Sequence, residues 1–287
     1  MGSTAIPATY RRVVGAGVAV ELRRGQYADV LVDTAHGRVL RFPRYESGRA
    51  ALPSLIERLR AARHFGLPAP APLDADPDAP VGAAHLTMEL LPGVGLRDEA
   101  ITALGAPQRE RLVGDLVKLL AALRSAELAA WPTADRARWP GHWTDRWLAL
   151  RERVRADVIP SLDPAAGARA AREVEDAVRA AHEAGAGHLT HGDLGGANVL
   201  VDPGDGSLTG VLDWDDSGPG DPAIDLASLA ASLPPPVFDR LCRHDVVARR
   251  ALPRARAYAA TFALQDAVFG LANDDAAARE AGLATYR

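Results

Sequence analysis

Short β-branched runs separated by turn residues dominate the first ninety positions. VAVEL at 18–22, DVLVD at 29–33 and RVLRF running into Pro43 predict three strands, with RRGQY and TAHG as the turns between them. The period then changes. In SGRAALPSLIERLRAARHFG, Leu52, Leu55, Ile56 and Leu59 recur at helical spacing, and Gly66 ends the run. LPAPAPLDADPDAPVG is too rich in proline for a helix or a central strand and reads as a loop. AHLTMELLPG at 84–93 predicts one more strand ending in a Pro-Gly turn. From residue 107 the pattern is helical in QRERLVGDLVKLLAALRSA, HWTDRWLALRERVRADVI and ARAAREVEDAVRAAHEAG. VLVD and GVLDW flank DPGDG and predict a hairpin, after which the chain is helical from 222 almost to Arg287. No internal repeat is visible. The expected architecture is α+β and bilobal: a small β-rich lobe over 1–92, a hinge near 89–93, and a larger, mainly helical lobe over 93–287.

Composition narrows the class of function. A chain of 287 residues can bury a sizeable core, and 48% apolar with 24% charged residues is ordinary for a soluble globular protein. The net charge of −4 offers no basic footprint for nucleic acid and slightly favours a cationic small molecule. Cys242 is the single cysteine, so no intrachain disulfide can form and a reducing compartment is expected. MGSTAIPATYRR lacks a signal-peptide core, and no apolar run reaches membrane-spanning length. A cytoplasmic protein is expected, with no membrane and no protein partner. Of the 33 basic residues only Lys118 is a lysine, and it lies mid-helix in DLVKLL, which excludes a Walker loop. GAGVAV at 15–20 has valine where a dinucleotide fingerprint needs its third glycine.

The chemistry concentrates in HGDLGGANVL and LDWDD. Asp193, Asn198 and Asp213 are two carboxylates and one amide carbonyl, hard oxygen donors of the kind that suit Mg²⁺. A tight hairpin brings Asp213, twenty residues after Asp193, back toward the first loop. The bland alternative is that these are loop and capping residues satisfying local backbone. H-G-D-x-x-x-x-N followed by an Asp after an apolar strand resembles the catalytic and metal loops of the aminoglycoside phosphotransferase family, relatives of the protein kinases. The resemblance implies a kinase-like fold, with Asp193 as the base, Asn198 and Asp213 as Mg²⁺ ligands, and His191 ordering the loop. DPAIDLA resembles the family's helix start, which implies structural support from Asp221 and Asp225, the latter beneath the catalytic loop. HGD stands in place of HRD, Trp214 in place of the Phe of DFG, and no APE segment occurs, which disfavours a protein acceptor.

The same resemblance implies a phosphoryl donor, ATP or GTP. In the kinase template a lysine on the third strand pairs with a helix Glu. Here Arg41 occupies that place and Glu57 follows on the next helix. Arginine keeps its charge and can chelate two phosphate oxygens; a plain surface strand residue is the alternative. GQY at 25–27 lies where a phosphate-covering turn belongs. Met88, Glu89, Leu90 and Leu91 resemble the interlobe connector, whose backbone holds the purine.

For the acceptor, HGDLGGANVL, LDWDDSGPGDPAIDLA, RGQYADVLV and the C-terminal tail are similar to phosphotransferases of cyclic, basic peptide antibiotics of the viomycin and capreomycin type. That implies a cationic small-molecule antibiotic, which Asp215, Asp216 and Asp266 are placed to face. An aminoglycoside, a macrolide or a metabolic small molecule remains an alternative acceptor. Asp274 and Asp275 read as an exposed turn between helices. Trp139, Trp143 and Trp147 recur every four residues and read as a packed helix stripe, with a ligand wall as the other reading. The remaining histidines lack metal-type spacing.

Overall fold

Residues 6–15, 18–25, 27–96, 98–132, 144–184 and 187–287 are described in the computed structural model of the chain. Helix α1 (Ala8–Val14) precedes strands β1 (Glu21–Arg24), β2 (Ala28–Asp33) and β3 (Arg38–Pro43), then helix α2 (Glu46–His64), β4 (Pro72–Asp76) and β5 (His85–Glu89). The five strands form one antiparallel sheet in the order β1-β2-β3-β5-β4. β3 is therefore central, with Arg41 opposite Val30 of β2 and Leu86 of β5. Side chains alternate along a strand. Leu40 and Phe42 pack with Leu31 and α1, where Tyr10 stacks on Phe42 at 4.0 Å between ring centroids. Arg41 consequently points to the other face.

Three details depart from the sequence reading. The first strand begins at Glu21 rather than at Val18, and α1, which no apolar periodicity announced, covers the sheet's far face. The proline-rich stretch read as a loop contains β4. That strand lies at the sheet edge and its register slips between Pro72 and Asp74, a location where a missing N–H leaves no ladder bond unmade.

The remainder of the chain holds β6 (Val94–Gly95), α3 (Asp98–Ala103), α4 (Ala106–Ser125), α5 (Asp145–Arg153), α6 (Pro164–Ala184), β7 (His188–Thr190), β8 (Val199–Val201), β9 (Leu208–Val211), β10 (Gly218–Gly220), α7 (Ala223–Ser232), α8 (Pro235–His244), α9 (Val246–Ala260), α10 (Phe262–Ala272) and α11 (Ala276–Ala284). The anticipated hairpin is β8–β9, with Val199 opposite Val211, and β6 joins it as a third strand. β7 pairs with β10.

Sheet membership changes between Glu89 and Val94, but the apolar core does not stop there. One cluster runs from Leu52, Leu55 and Leu59 of α2 and Leu86 of β5 to Leu116 and Leu120 of α4, Val199 and Val211 of the hairpin, and Leu226 and Leu229 of α7. Each fully buried leucine contributes roughly 1.5–3 kcal/mol of apolar burial, and α2 shares this one core with the helical part as well as with its own sheet. Trp147 is in this core, stacked on Tyr258 at 4.5 Å, so for that residue the packed reading is the right one. Trp139 and Trp143 lie outside the described residues. No described helix is long and apolar enough to cross a membrane.

Candidate active site

The loop between β7 and β8 is held from below. Backbone N–H groups of His191 and Gly192 donate to the two oxygens of Asp225 at 3.0 and 2.9 Å, and Gly196 N–H donates to Ser232 Oγ at 2.8 Å. Both acceptors sit on α7, so one helix fixes the loop at two points. Burial pushes the Asp225 carboxyl up to about 7, against the pull of those two N–H donors. Just ahead of α7, Asp221 accepts from Arg254 at 2.8 and 3.1 Å, from Tyr258 Oη at 2.9 Å and from Ala223 N–H at 3.0 Å, which ties the start of α7 to α9.

His191 is fully buried. Its Nε2 lies 3.0 Å from Leu212 O, and Asp193 N–H donates to its Nδ1 at 3.3 Å. That pair of contacts requires a neutral ring with the proton on Nε2. Burial holds its pKa down to about 4, which keeps the ring in that state. The imidazole thus joins the loop after β7 to the residue preceding Asp213, and its edge packs against the Trp214 ring at 4.8 Å.

HGD has a steric reason. Gly192 has φ +89°, and a Cβ there would stand 2.5 Å from the Asp216 carbonyl oxygen. No side chain fits where the two loops touch, and only glycine adopts that backbone cheaply. The close approach brings Asp193, Asp213, Asp215 and Asp216 to the lining of one cavity of about 350 Å³, with Arg41 of β3, Tyr27 and the first turn of α2 completing the wall.

Asn198 is not among the lining residues but is bonded to one of them: its Nδ2 donates to the Asp193 carbonyl and to Asp193 Oδ2, both at 2.9 Å, which leaves the amide oxygen as the end of Asn198 that can serve a cation. Asp213 takes a left-handed conformation (φ 61°), unusual for a non-glycine residue and a mark of a constrained site. Its carboxyl lies well above the usual carboxylate range because it is desolvated and shares the site with Asp215. Asp193 is also raised, by desolvation first and then by the charge of Asp216, with Asp266 adding to it. Crowded carboxylates of this kind are costly without a cation, and two carboxylates with an amide oxygen form the hard donor set that Mg²⁺ accepts. Among the described residues no group of three or more His, Cys, Asp or Glu side chains is arranged to hold a metal. Mg²⁺ in phosphoryl-transfer sites asks for only one or two protein carboxylates and draws its remaining ligands from phosphate and water, so the donors present fit it.

Arg41 reaches this group, but not with the expected partner. Glu57 is exposed on α2. The guanidinium instead pairs with Asp215 and, at 3.4 Å, with Asp213. Desolvation opposes the Arg41 charge; the carboxylates of Asp215 and Asp213 outweigh it and raise its pKa. Asp215, expected to face an acceptor, is therefore engaged on the Arg41 side of the cavity. The residue that α2 turns inward is Arg58, 1% exposed, whose Nη1 donates to the Asp215 carbonyl. The sequence carried this signal: Arg58 lies three residues after Leu55 and four before Ala62, on the buried stripe.

In the connector, Glu89 N–H donates to Ala71 O and Leu90 N–H to Gly37 O, each at 2.9 Å, so both are used inside the first sheet. Met88 packs against the main core. The Leu91 side chain lies over Gly210 of β9, where a Cβ would come within 2.5 Å of its Cδ1. Asp216 lines the cavity, whereas Asp266 is exposed on α10 with its pKa raised by partial desolvation. Tyr27 meets Phe269 of α10 edge-on at 4.7 Å. Gln26, within the turn read as phosphate-covering, is outside the described residues.

A profile described as "Phosphotransferase enzyme family" (APH) matches residues 19–261. The chain belongs to that family. Viomycin phosphotransferase of Streptomyces vinaceus is 31% identical over 278 residues, which cover 94% of this chain and 93% of that protein. Among solved structures, the GDP and kanamycin complex of APH(2")-IIia superposes with a TM-score of 0.79 at 18% identity, covering 93% of this chain and 91% of the other. The GDP complex of wild-type aminoglycoside 2'-phosphotransferase-IIIa gives 0.78 at 17% identity over 97% and 95%. The kinase-like fold of this phosphotransferase is thus the one anticipated from HGD, the later Asp and DPxxD.

Proposed function

We propose that this phosphotransferase moves the γ-phosphate of a nucleoside triphosphate to a hydroxyl of a cationic, cyclic peptide antibiotic of the viomycin type. The observation that carries the proposal is the convergence of Asp193, Asp213 and Arg41 on one cavity, with Asn198 hydrogen-bonded to Asp193. Identity to a viomycin phosphotransferase over almost the whole of both chains supports the acceptor class, and the nucleotide complexes of the structural neighbours support the donor class. Residues 1–92 would hold the donor through Arg41 and the connector, and 93–287 would supply the catalytic loop and acceptor site.

Asp193 accepts the proton of the acceptor hydroxyl as its oxygen bonds to the γ-phosphorus and the bond to the bridging oxygen breaks, releasing nucleoside diphosphate. Its raised pKa suits a base that must take a proton in a partly desolvated cleft. Arg41 fixes phosphate oxygens, and Asn198 and Asp213 would hold Mg²⁺, which neutralises charge on the β- and γ-phosphates when bound. Because Glu89 and Leu90 N–H groups are engaged within the first sheet, the connector from Met88 to Leu91 would offer the purine its free carbonyls and, as donor, the N–H of Leu91. Asp216 and Asp266, whose charges act on Asp193 through space, would meet the cationic groups of the acceptor.

Transfer from radiolabelled nucleotide should be measured over viomycin, capreomycin, aminoglycosides, macrolides and simple sugars. Turnover on the cyclic peptides well above the others is the expected result; activity on sugars alone would move the enzyme to metabolism. Asp193→Ala should lower kcat by about 100-fold or more while nucleotide still binds, and near-normal turnover would remove Asp193 from the role of base. Asp213→Ala should weaken nucleotide binding in Mg²⁺ as well.

A further inference from the structure

We propose that Asp215 is the counter-ion that orients Arg41 toward the donor phosphates, and that Arg58 of α2 positions Asp215 through its backbone carbonyl. The inference rests on the assignment of Arg41 to the donor. Its basis is an exchange of charges between two elements. The helix that follows β3 presents Glu57 to solvent and drives a buried arginine, Arg58, into the interior against the Asp215 carbonyl. The carboxylate that meets the strand cation comes instead from the turn after β9, two residues beyond Asp213. A guanidinium presents its donors in a planar fork. Arg41 meets Asp215 and Asp213 through the one nitrogen Nη1, which anchors that end of the fork and leaves Nε and Nη2 for two phosphate oxygens, whereas an unpaired arginine on a strand would sample many rotamers. Placing the counter-ion on the Asp213 turn also makes the phosphate cation and the proposed Mg²⁺ ligand parts of one rigid unit. Arg58 ties that unit to α2 across 157 residues of sequence. Asp215 and Arg58 are positioning residues acting through Arg41.

The test is a double-mutant cycle on the full-length enzyme, with nucleotide affinity measured directly by a fluorescent ATP analogue and KM measured for both substrates. Arg41→Met and Asp215→Asn should each weaken nucleotide binding by about tenfold or more, leave acceptor KM within about twofold, and be strongly non-additive when combined. Arg58→Met should shift nucleotide affinity in the same direction; thermal melting of every variant checks folding, and Asp215→Ser serves if Asn does not fold. A rise in acceptor KM with nucleotide affinity intact in the Asp215 variant would overturn the inference and return Asp215 to the acceptor side. Additive effects of the Arg41 and Asp215 changes would also overturn it. If Arg41→Met itself leaves nucleotide affinity unchanged, the assignment of Arg41 to the donor falls, a result distinct from the other two.

Discussion

At the scale of single residues, the site is governed by what cannot be there. Gly192 combines φ +89° with a position 2.5 Å from a carbonyl oxygen of the neighbouring loop. Gly192→Ala should therefore cost about 2 kcal/mol or more in stability and part the two loops, so that melting temperature and kcat fall together. His191 sets a pH dependence. Its pKa is about 4 in the folded protein, below the ordinary histidine value near 6.5, so between those pH values the unfolded chain binds a proton that the buried ring refuses. Stability from this group is present above about pH 6.5 and is lost as pH falls toward 4, amounting to about 3 kcal/mol. Asp225, raised to about 7, acts in the opposite sense, so the wild-type curve alone is not diagnostic. Chemical denaturation from pH 7 to pH 4.5 should show a shallower acid loss in His191→Asn than in the parent.

At the scale of elements, α7 organises the loop between β7 and β8 by accepting hydrogen bonds. Its Asp225 and Ser232 fix the loop after β7, and Asp221 at its start fixes the helix itself to α9. Removing that carboxylate would leave a guanidinium and a buried hydroxyl without their acceptor. Asp221→Ala should destabilise by about 2–4 kcal/mol, and Tyr258→Phe by about 1 kcal/mol, read as shifts in urea midpoint with substrate KM values near those of the parent for the milder change. α2 carries the corresponding lesson for sequence reading. Its periodicity is legible in Leu52, Leu55 and Leu59; charge complementarity alone points to Glu57, whereas the same period places Arg58 inside. The proline-rich stretch failed in another way. Prolines exclude the middle of a sheet, and β4 shows that they do not exclude its edge.

At the scale of the whole molecule, the first sheet and the hairpin sheet meet where the connector crosses. Thr209 Oγ1 donates to Pro92 O at 2.6 Å, Val211 N–H to Pro68 O at 2.8 Å, and Leu91 rests on Gly210. With the connector holding the nucleotide as proposed, nucleotide affinity should be coupled to β9, a strand with no proposed ligand contact of its own. Gly210→Val should push Leu91 off the hairpin and raise nucleotide KM by about tenfold, leaving acceptor KM close to its parent value. Equal effects on both substrates would instead point to general damage of the hairpin.

The sequence by itself determined the hydrophobic periods of the longer helices, the β8–β9 hairpin, and the spacing of His191, Asp193, Asn198, Asp213, Asp221 and Asp225, because these are local patterns or fixed separations along one loop pair. The phosphotransferase family was legible there too. Which charges meet was decided only in three dimensions. Arg41 and Arg58 each lie more than 150 residues from Asp215, which both touch, and such a contact has no periodicity to read. The side of a helix or strand on which each charge emerges, and how closely a glycine lets two loops approach, decide the partner, and both are set by the packing of the continuous core.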